Sequence, residues 1–173
     1  LRFIITVIAV VLGLLGCSIE TEKEFKGKKL TEKEALKREE VVVYHKSNDF
    51  NQIVSGEMEY KNFTKLLYFV NDVQAGKKGA LTITIVNKNG DTEATNSLKS
   101  DGEKVEFVNE YEGYHSPKGK FTCEILLISH EGPFTQGKPS LDGMDCKDEE
   151  GKDYRLVLVQ PLTRQALESG GQE

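Results

Sequence analysis

Apolar positions follow three different rhythms along this chain. From Phe3 to Gly16 they form an almost unbroken run, with Thr6 its one polar member. That run is shorter than the roughly 17 to 25 residues a helix needs to cross a bilayer, and with Arg2 ahead of it the stretch reads as a secretory signal. Between Phe63 and Val73 the rhythm becomes helical: Phe63, Leu66, Leu67, Val70 and Val73 share one face, Asn62 stands at the N-cap and Gly76 at the stop. Lys77 and Lys78 then complement the carbonyl end of the helix. After Gly79 the period drops to two. Leu81, Ile83 and Ile85 alternate with Thr82, Thr84 and Val86, and Asn89-Gly90 predicts a two-residue hairpin into a second strand through Ala94 to Leu98. Asp101-Gly102 marks another turn. "KVEFVNEY" puts Val105, Phe107 and Tyr111 on one face, "KFTCEILLISH" puts Phe121, Cys123, Ile125 and Leu127 inward, and "DYRLVLVQ" supplies a last strand before Pro161. "VVVYH", Val41 to His45, adds a short early strand. These elements predict an α+β domain, with one main helix packed on an antiparallel β-meander of about four to six strands and one sheet face covered.

Between signal and domain, Ser18 to Glu40 balances acidic against basic residues. Thr31 and Glu34 have capping-box spacing, and Glu34 can pair with Arg38, so a short helix near Glu32 to Glu40 is expected. With only Ala35 and Leu36 apolar there, it reads as a solvated spacer. The chain thus divides into a signal (1–16), a lipidated cysteine with a polar stalk (17–40), the domain (41–162) and a flexible tail (163–173) ending in "ESGGQE".

Leu14, Leu15, Gly16 and Cys17 resemble the lipobox of bacterial lipoproteins, with the small Gly16 before the cut. The resemblance implies that Cys17 carries a diacylglyceryl group and becomes the mature first residue, on the extracytoplasmic face of the cell membrane. Two acyl chains hold a protein there stably, whereas one does so only marginally. With Cys17 so occupied, Cys123 and Cys146 remain as a pair outside the cytoplasm, where a disulfide is expected. A reactive or metal-binding thiol pair is the competing reading, weakened by the lack of C-x-x-C spacing or a nearby histidine cluster.

Charge narrows the partners. The chain has 23 basic and 28 acidic residues, a net −5, and losing Arg2 with the signal makes it one unit more negative. This speaks against nucleic acid, whose backbone needs a basic face. The acidic run Asp142, Asp145, Asp148, Glu149, Glu150 and Asp153 has oxygen donors enough for calcium but not the spacing of an EF-hand loop, so no metal or cofactor is assigned, and a calcium-stabilised surface module stays an alternative. No GxxxxGK[ST], HExxH, GxSxG or GxGxxG occurs. His45, His115 and His130 are scattered, and Ser129-His130 and His115-Ser116 point adjacent side chains apart, so no catalytic residue is assigned and a small extracytoplasmic hydrolase remains a second alternative. The loop "YEGYHSPKGK" nonetheless gathers Tyr111, Tyr114 and His115. With Phe134 from "EGPFTQGK", these are the expected contacts for an unidentified protein or small ligand.

Over Val41 to Val159, "NDVQAGKK", Gly90-Asp91, "DGEKV", "FTCE" and the "DC" at Cys146 resemble an uncharacterised family of small Gram-positive bacterial lipoproteins. In that family a helix ends in a Gly-Lys-Lys turn and two cysteines follow a Gly-Asp-Pro hairpin. Thr92 stands here where the family often has Pro, and the segment between Gly56 and Asn62 is longer. The resemblance implies no activity and no functional residues. A helix across a meander also resembles the cystatin-like layout, but a layout does not supply a function. Together these readings lead to the expectation of a membrane-anchored extracytoplasmic lipoprotein acting as a binding or interaction module.

Overall fold

In the computed structural model the residues described are 31–55, 58–129, 139–160 and 162. The expected signal, Cys17, most of the stalk, His130, Phe134 and the tail lie outside them.

The architecture corrects the expected meander. Among the described residues nine strands form one curled, mixed sheet with three short helices. In chain order the elements are α1 (Glu32–Lys37), β1 (Val41–His45), α2 (Phe50–Ser55), β2 (Met58–Lys61), α3 (Phe63–Gln74), β3 (Lys78–Val86), β4 (Thr92–Asp101), β5 (Val105–Asn109), β6 (Gly119–Cys123), β7 (Ile125–Ser129), β8 (Ser140–Asp148) and β9 (Asp153–Val159). Neighbours run β2-β1-β3-β4-β5-β6-β8-β7, with β9 on the other side of β8. A meander assumes that sequential strands pair. Here β1 lies between β2 and β3, antiparallel to the first and parallel to the second. β1 is therefore a central strand, which is why "VVVYH" is apolar on both faces.

The two faces of β1 meet different layers. Val41 and Val43 join the main core with Ile83 and Ile85 of β3 and with Phe63, Leu66, Phe69 and Val70 of α3. Val42 packs outward with Val86 and Ala35 of α1. The α1 capping box forms as expected, yet the helix is not solvated all round, because Ala35 is completely buried against the sheet. Glu40 follows it into the protein. Its buried carboxylate accepts from the Thr84 hydroxyl and its carbonyl from Asn62 Nδ2 at 2.8 Å. Asn62 thereby leaves its expected capping role, sitting in the left-handed region with no side-chain cap bond. Helix α3 touches β1, β3 and β7, so strands far apart in the sheet order meet one helix, which requires the sheet to curl. At its end the Gly76 amide reaches Val73 O and the Lys77 amide reaches Asp72 O, a Schellman closure with Gly76 at φ +70°.

Two local expectations shift. The β3–β4 tip closes with Asn87 N on Asp91 O around three intervening residues, with Gly90 left-handed, rather than as a two-residue turn. The stretch read as one strand, "KFTCEILLIS", is split at Glu124: Phe121 and Cys123 point in, but then Leu126 does, and Ile125 is about half exposed. β6 and β7 keep a single antiparallel register against β8, Thr122 opposite Lys147 and Ile125 opposite Met144, so Cys123 falls directly opposite Cys146. The expected disulfide is there, with its Cα atoms 3.8 Å apart. β8 is kinked beside it, with Asp145 left-handed and the β9 register shifted between Gly143 and Cys146.

Candidate functional site

The last inward position of β1 is a histidine. Strand alternation after Val41 and Val43 carries His45 into the protein, 2% exposed, at the end of the sheet where β5 gives way to the segment 110–118. That segment turns back over the strand ends and places Tyr111 and Tyr114 on either side of the imidazole. Tyr111 Oη lies 3.0 Å from His45 Nδ1 and Tyr114 Oη 2.9 Å from Nε2. The two tyrosine rings meet edge to face at 4.8 Å.

Proton counting orders this cluster. Burial lowers the His45 pKa to about 4, so the imidazole is neutral at pH 7 and offers one N–H and one lone pair. Two hydroxyl protons and one imidazole proton compete for two hydrogen bonds. One hydroxyl must therefore accept from the ring and turn its own proton elsewhere. Tyr114 is 1% exposed, and its hydroxyl meets no hydrogen-bond partner but His45 among the described residues, so it donates to Nε2. His45 Nδ1–H then donates to Tyr111, whose proton is turned outward. Outward lies the Glu93 carboxylate, 3.9 Å from Nδ1. Desolvation raises the pKa of both tyrosines, and the charge of Glu93 adds to the effect.

Above Tyr111 opens a cleft of about 290 Å³ between α2 and segment 110–118. Phe50 and Ile53 form one wall, Glu93 and Tyr111 the base, and Glu110, Glu112 and Lys118 the other wall. At the rim His115, left-handed at φ +59° and exposed, packs edge-on against Phe50 with ring centroids 4.0 Å apart. The cleft combines aromatic faces with three carboxylates and a single ammonium, and can receive a ligand with apolar and polar parts.

The four expected contact residues are distributed unequally. Tyr111 and Tyr114 belong to the buried cluster, and only Tyr111 reaches the cleft; His115 stands at the rim; Phe134 lies outside the described residues. His45 and Glu93, which the spacing of motifs did not single out, complete the group. The signal for His45 was present in "VVVYH", where it shares the inward parity of Val41 and Val43.

The acidic run is spread over one hairpin. Asp142 is buried, accepts from Ser140 and Arg155, and stays paired inside the protein. Asp148 closes the β8–β9 turn, and the amide of Lys152, with the Tyr154 hydroxyl and the Glu150 amide, holds its carboxyl below the usual range. Lys147 pairs with Asp153 across the hairpin. Among the described residues no three His, Cys, Asp or Glu side chains are grouped to hold a metal ion, and no helix is long and apolar enough to cross a membrane. No family model, curated protein or solved structure matches the chain.

Proposed function

We propose that this chain is an exported lipoprotein, held by a diacylglyceryl group on Cys17 at the extracytoplasmic face of the cell membrane, and that it works there as a binding module through the cleft between α2 and segment 110–118. The observation that carries export is the Cys123–Cys146 disulfide, formed between facing positions of paired strands and completely buried. Such a bond persists in oxidising compartments and is rare where cellular thiols are kept reduced. The Leu14-Leu15-Gly16-Cys17 sequence supplies the matching anchor. Binding, rather than catalysis, is the chemistry that the cleft favours: the imidazole of His45 is buried behind Tyr111 with both nitrogens engaged by tyrosine hydroxyls, which removes it as a ready base.

Metabolic labelling with a palmitate analogue tests the anchor. The wild-type chain is expected in the membrane fraction with label on the Cys17 peptide, and Cys17→Ser is expected to carry no label. Label-free wild-type protein in the soluble cytoplasmic fraction, with Cys123 and Cys146 alkylatable as thiols, would remove both export and anchoring.

A further inference from the structure

Segment 110–118 is fixed almost entirely by side chains. Its internal backbone bond is His115 N to Glu112 O. Its ties to the sheet are Asn96 Oδ1 accepting from Glu110 N, Asn109 holding Tyr111 N and the carbonyls of Ser116 and Pro117, and the two tyrosine bonds to His45. At the far end the Ser116 hydroxyl donates to Val157 O and accepts from Val157 N, engaging both main-chain groups of one β9 residue. Among these ties His45 is the one whose donor and acceptor inventory changes with a proton near neutral or acid pH.

We propose that the His45–Tyr111–Tyr114 cluster is an acid-operated latch, which holds segment 110–118 as the wall of the cleft while His45 is neutral and releases it when His45 takes up a proton. The balance of protons makes the case. Neutral His45 accepts from Tyr114 and donates to Tyr111, leaving one hydroxyl proton, and that one faces the cleft. Imidazolium donates from both nitrogens, so Tyr111 stays an acceptor, Tyr114 turns from donor to acceptor, and one further hydroxyl proton needs a new partner. The Tyr111 proton keeps its direction towards the cleft, which Glu93 also lines. Tyr114 has no further hydrogen-bond partner among the described residues and must move to find one. The charged groups around the cluster are few: Glu93 from β4, and Glu110, Glu112 and Lys118 on the cleft side of Tyr111. Tyr60 of β2 is the other titratable group that bears on Tyr114. Glu93 favours the imidazolium, but its side chain is 45% exposed and screened by water, whereas the imidazole is almost wholly removed from it. The cost of a buried charge therefore dominates, and it is relieved by opening the segment. This device is independent of where the protein resides.

Hydrogen exchange of the full chain, read by mass spectrometry at pH 7 and pH 4 with times rescaled for intrinsic exchange, tests the latch. Protection of 110–118 is expected to fall about a hundredfold more than that of the β3–β4 hairpin, as linkage to the buried imidazole requires. His45→Gln, which keeps a donor and an acceptor but cannot charge, is expected to abolish the difference. A differential loss under tenfold, an equal loss in the β3–β4 hairpin, or the same pH response in the Gln variant would overturn the proposal. Should that variant not fold, the imidazole resonance of His45 in the wild-type chain decides: its titration midpoint is expected to coincide with that of segment opening, and midpoints separated by more than about one pH unit would overturn it.

Discussion

Burial holds the His45 pKa near 4, against 6.5 for the free side chain, so between those values the unfolded chain binds a proton that the folded chain excludes. Stability conferred by the neutral imidazole is complete above pH 6.5 and is lost as the pH falls towards 4. The span corresponds to about 3 kcal/mol. Urea unfolding at pH 7 and pH 4 should show that decrement in the wild-type chain, and His45→Gln should lose it. Gly143 bears on a second buried group. A Cβ there would meet Cys146 Sγ at 2.8 Å and Cys123 Sγ at 2.9 Å, so the residue lacks a side chain because the disulfide occupies the space. Gly143→Ala should cost roughly 1–3 kcal/mol by overpacking or leave the cysteines unjoined, and thiol titration with urea midpoints distinguishes the two. At this scale the sequence was half legible. The pairing of Cys123 with Cys146 could be read from their number and setting, and alternation in "KVEFVNEY" put Tyr111 on the face of Val105 and Phe107, but the inward side of Tyr114 could not be read. An aromatic in a glycine-containing loop looks like a surface contact until a strand end, here His45, is seen to offer its hydroxyl a buried partner.

Helix α1 marks where elements read correctly in isolation were misplaced in the whole. Its capping box was visible as Thr31 and Glu34, whereas its docking depended on Val42 and Val86 being apolar on the outer face of β1 and β3, a pattern that alternation alone assigns to solvent. Thr31→Ala should therefore destabilise the folded protein itself, by about 1 kcal/mol in urea midpoints, where a free spacer would register no change. The Asp101-Gly102 turn was equally legible, but not its neighbour. Gly102 has φ +99°, and a Cβ on it would stand 2.8 Å from Gly76 O at the end of α3. Gly102→Ala should cost on the order of 1–2 kcal/mol from backbone strain and this contact, measurable by thermal unfolding. The phase slip at Glu124 escaped the sequence because the reversal resides in the paired strand, at the left-handed Asp145 of β8.

The curled sheet as a whole depends on pairings that chain order does not give, β1 with β3 in parallel and β6 with β8 past the intervening β7, which no local period reports. Local rhythm recovered β3, β4, β5, β9 and the helix α3, but it read β6 and β7 as one strand and missed β8, whose Gly143 and acidic residues look like a charged turn; it could not set the strand order either, and so it suggested a meander. The same curl brings the end of β1 beneath segment 110–118 and creates the cleft. The disulfide spans 23 residues and joins the neighbouring strands β6 and β8. Replacing both cysteines by Ala should lower stability by about 3 kcal/mol on chain-entropy grounds, with the cleft intact. Export and anchoring are the claim on which the biological reading rests, and peptide mass spectrometry of protein taken from cells with thiols blocked at lysis tests both together. The account predicts a Cys17 N-terminal peptide bearing a diacylglyceryl group and a Cys123–Cys146 peptide pair released only by reductant. An unmodified Cys17 within an uncleaved chain, accompanied by alkylated Cys123 and Cys146, would contradict it.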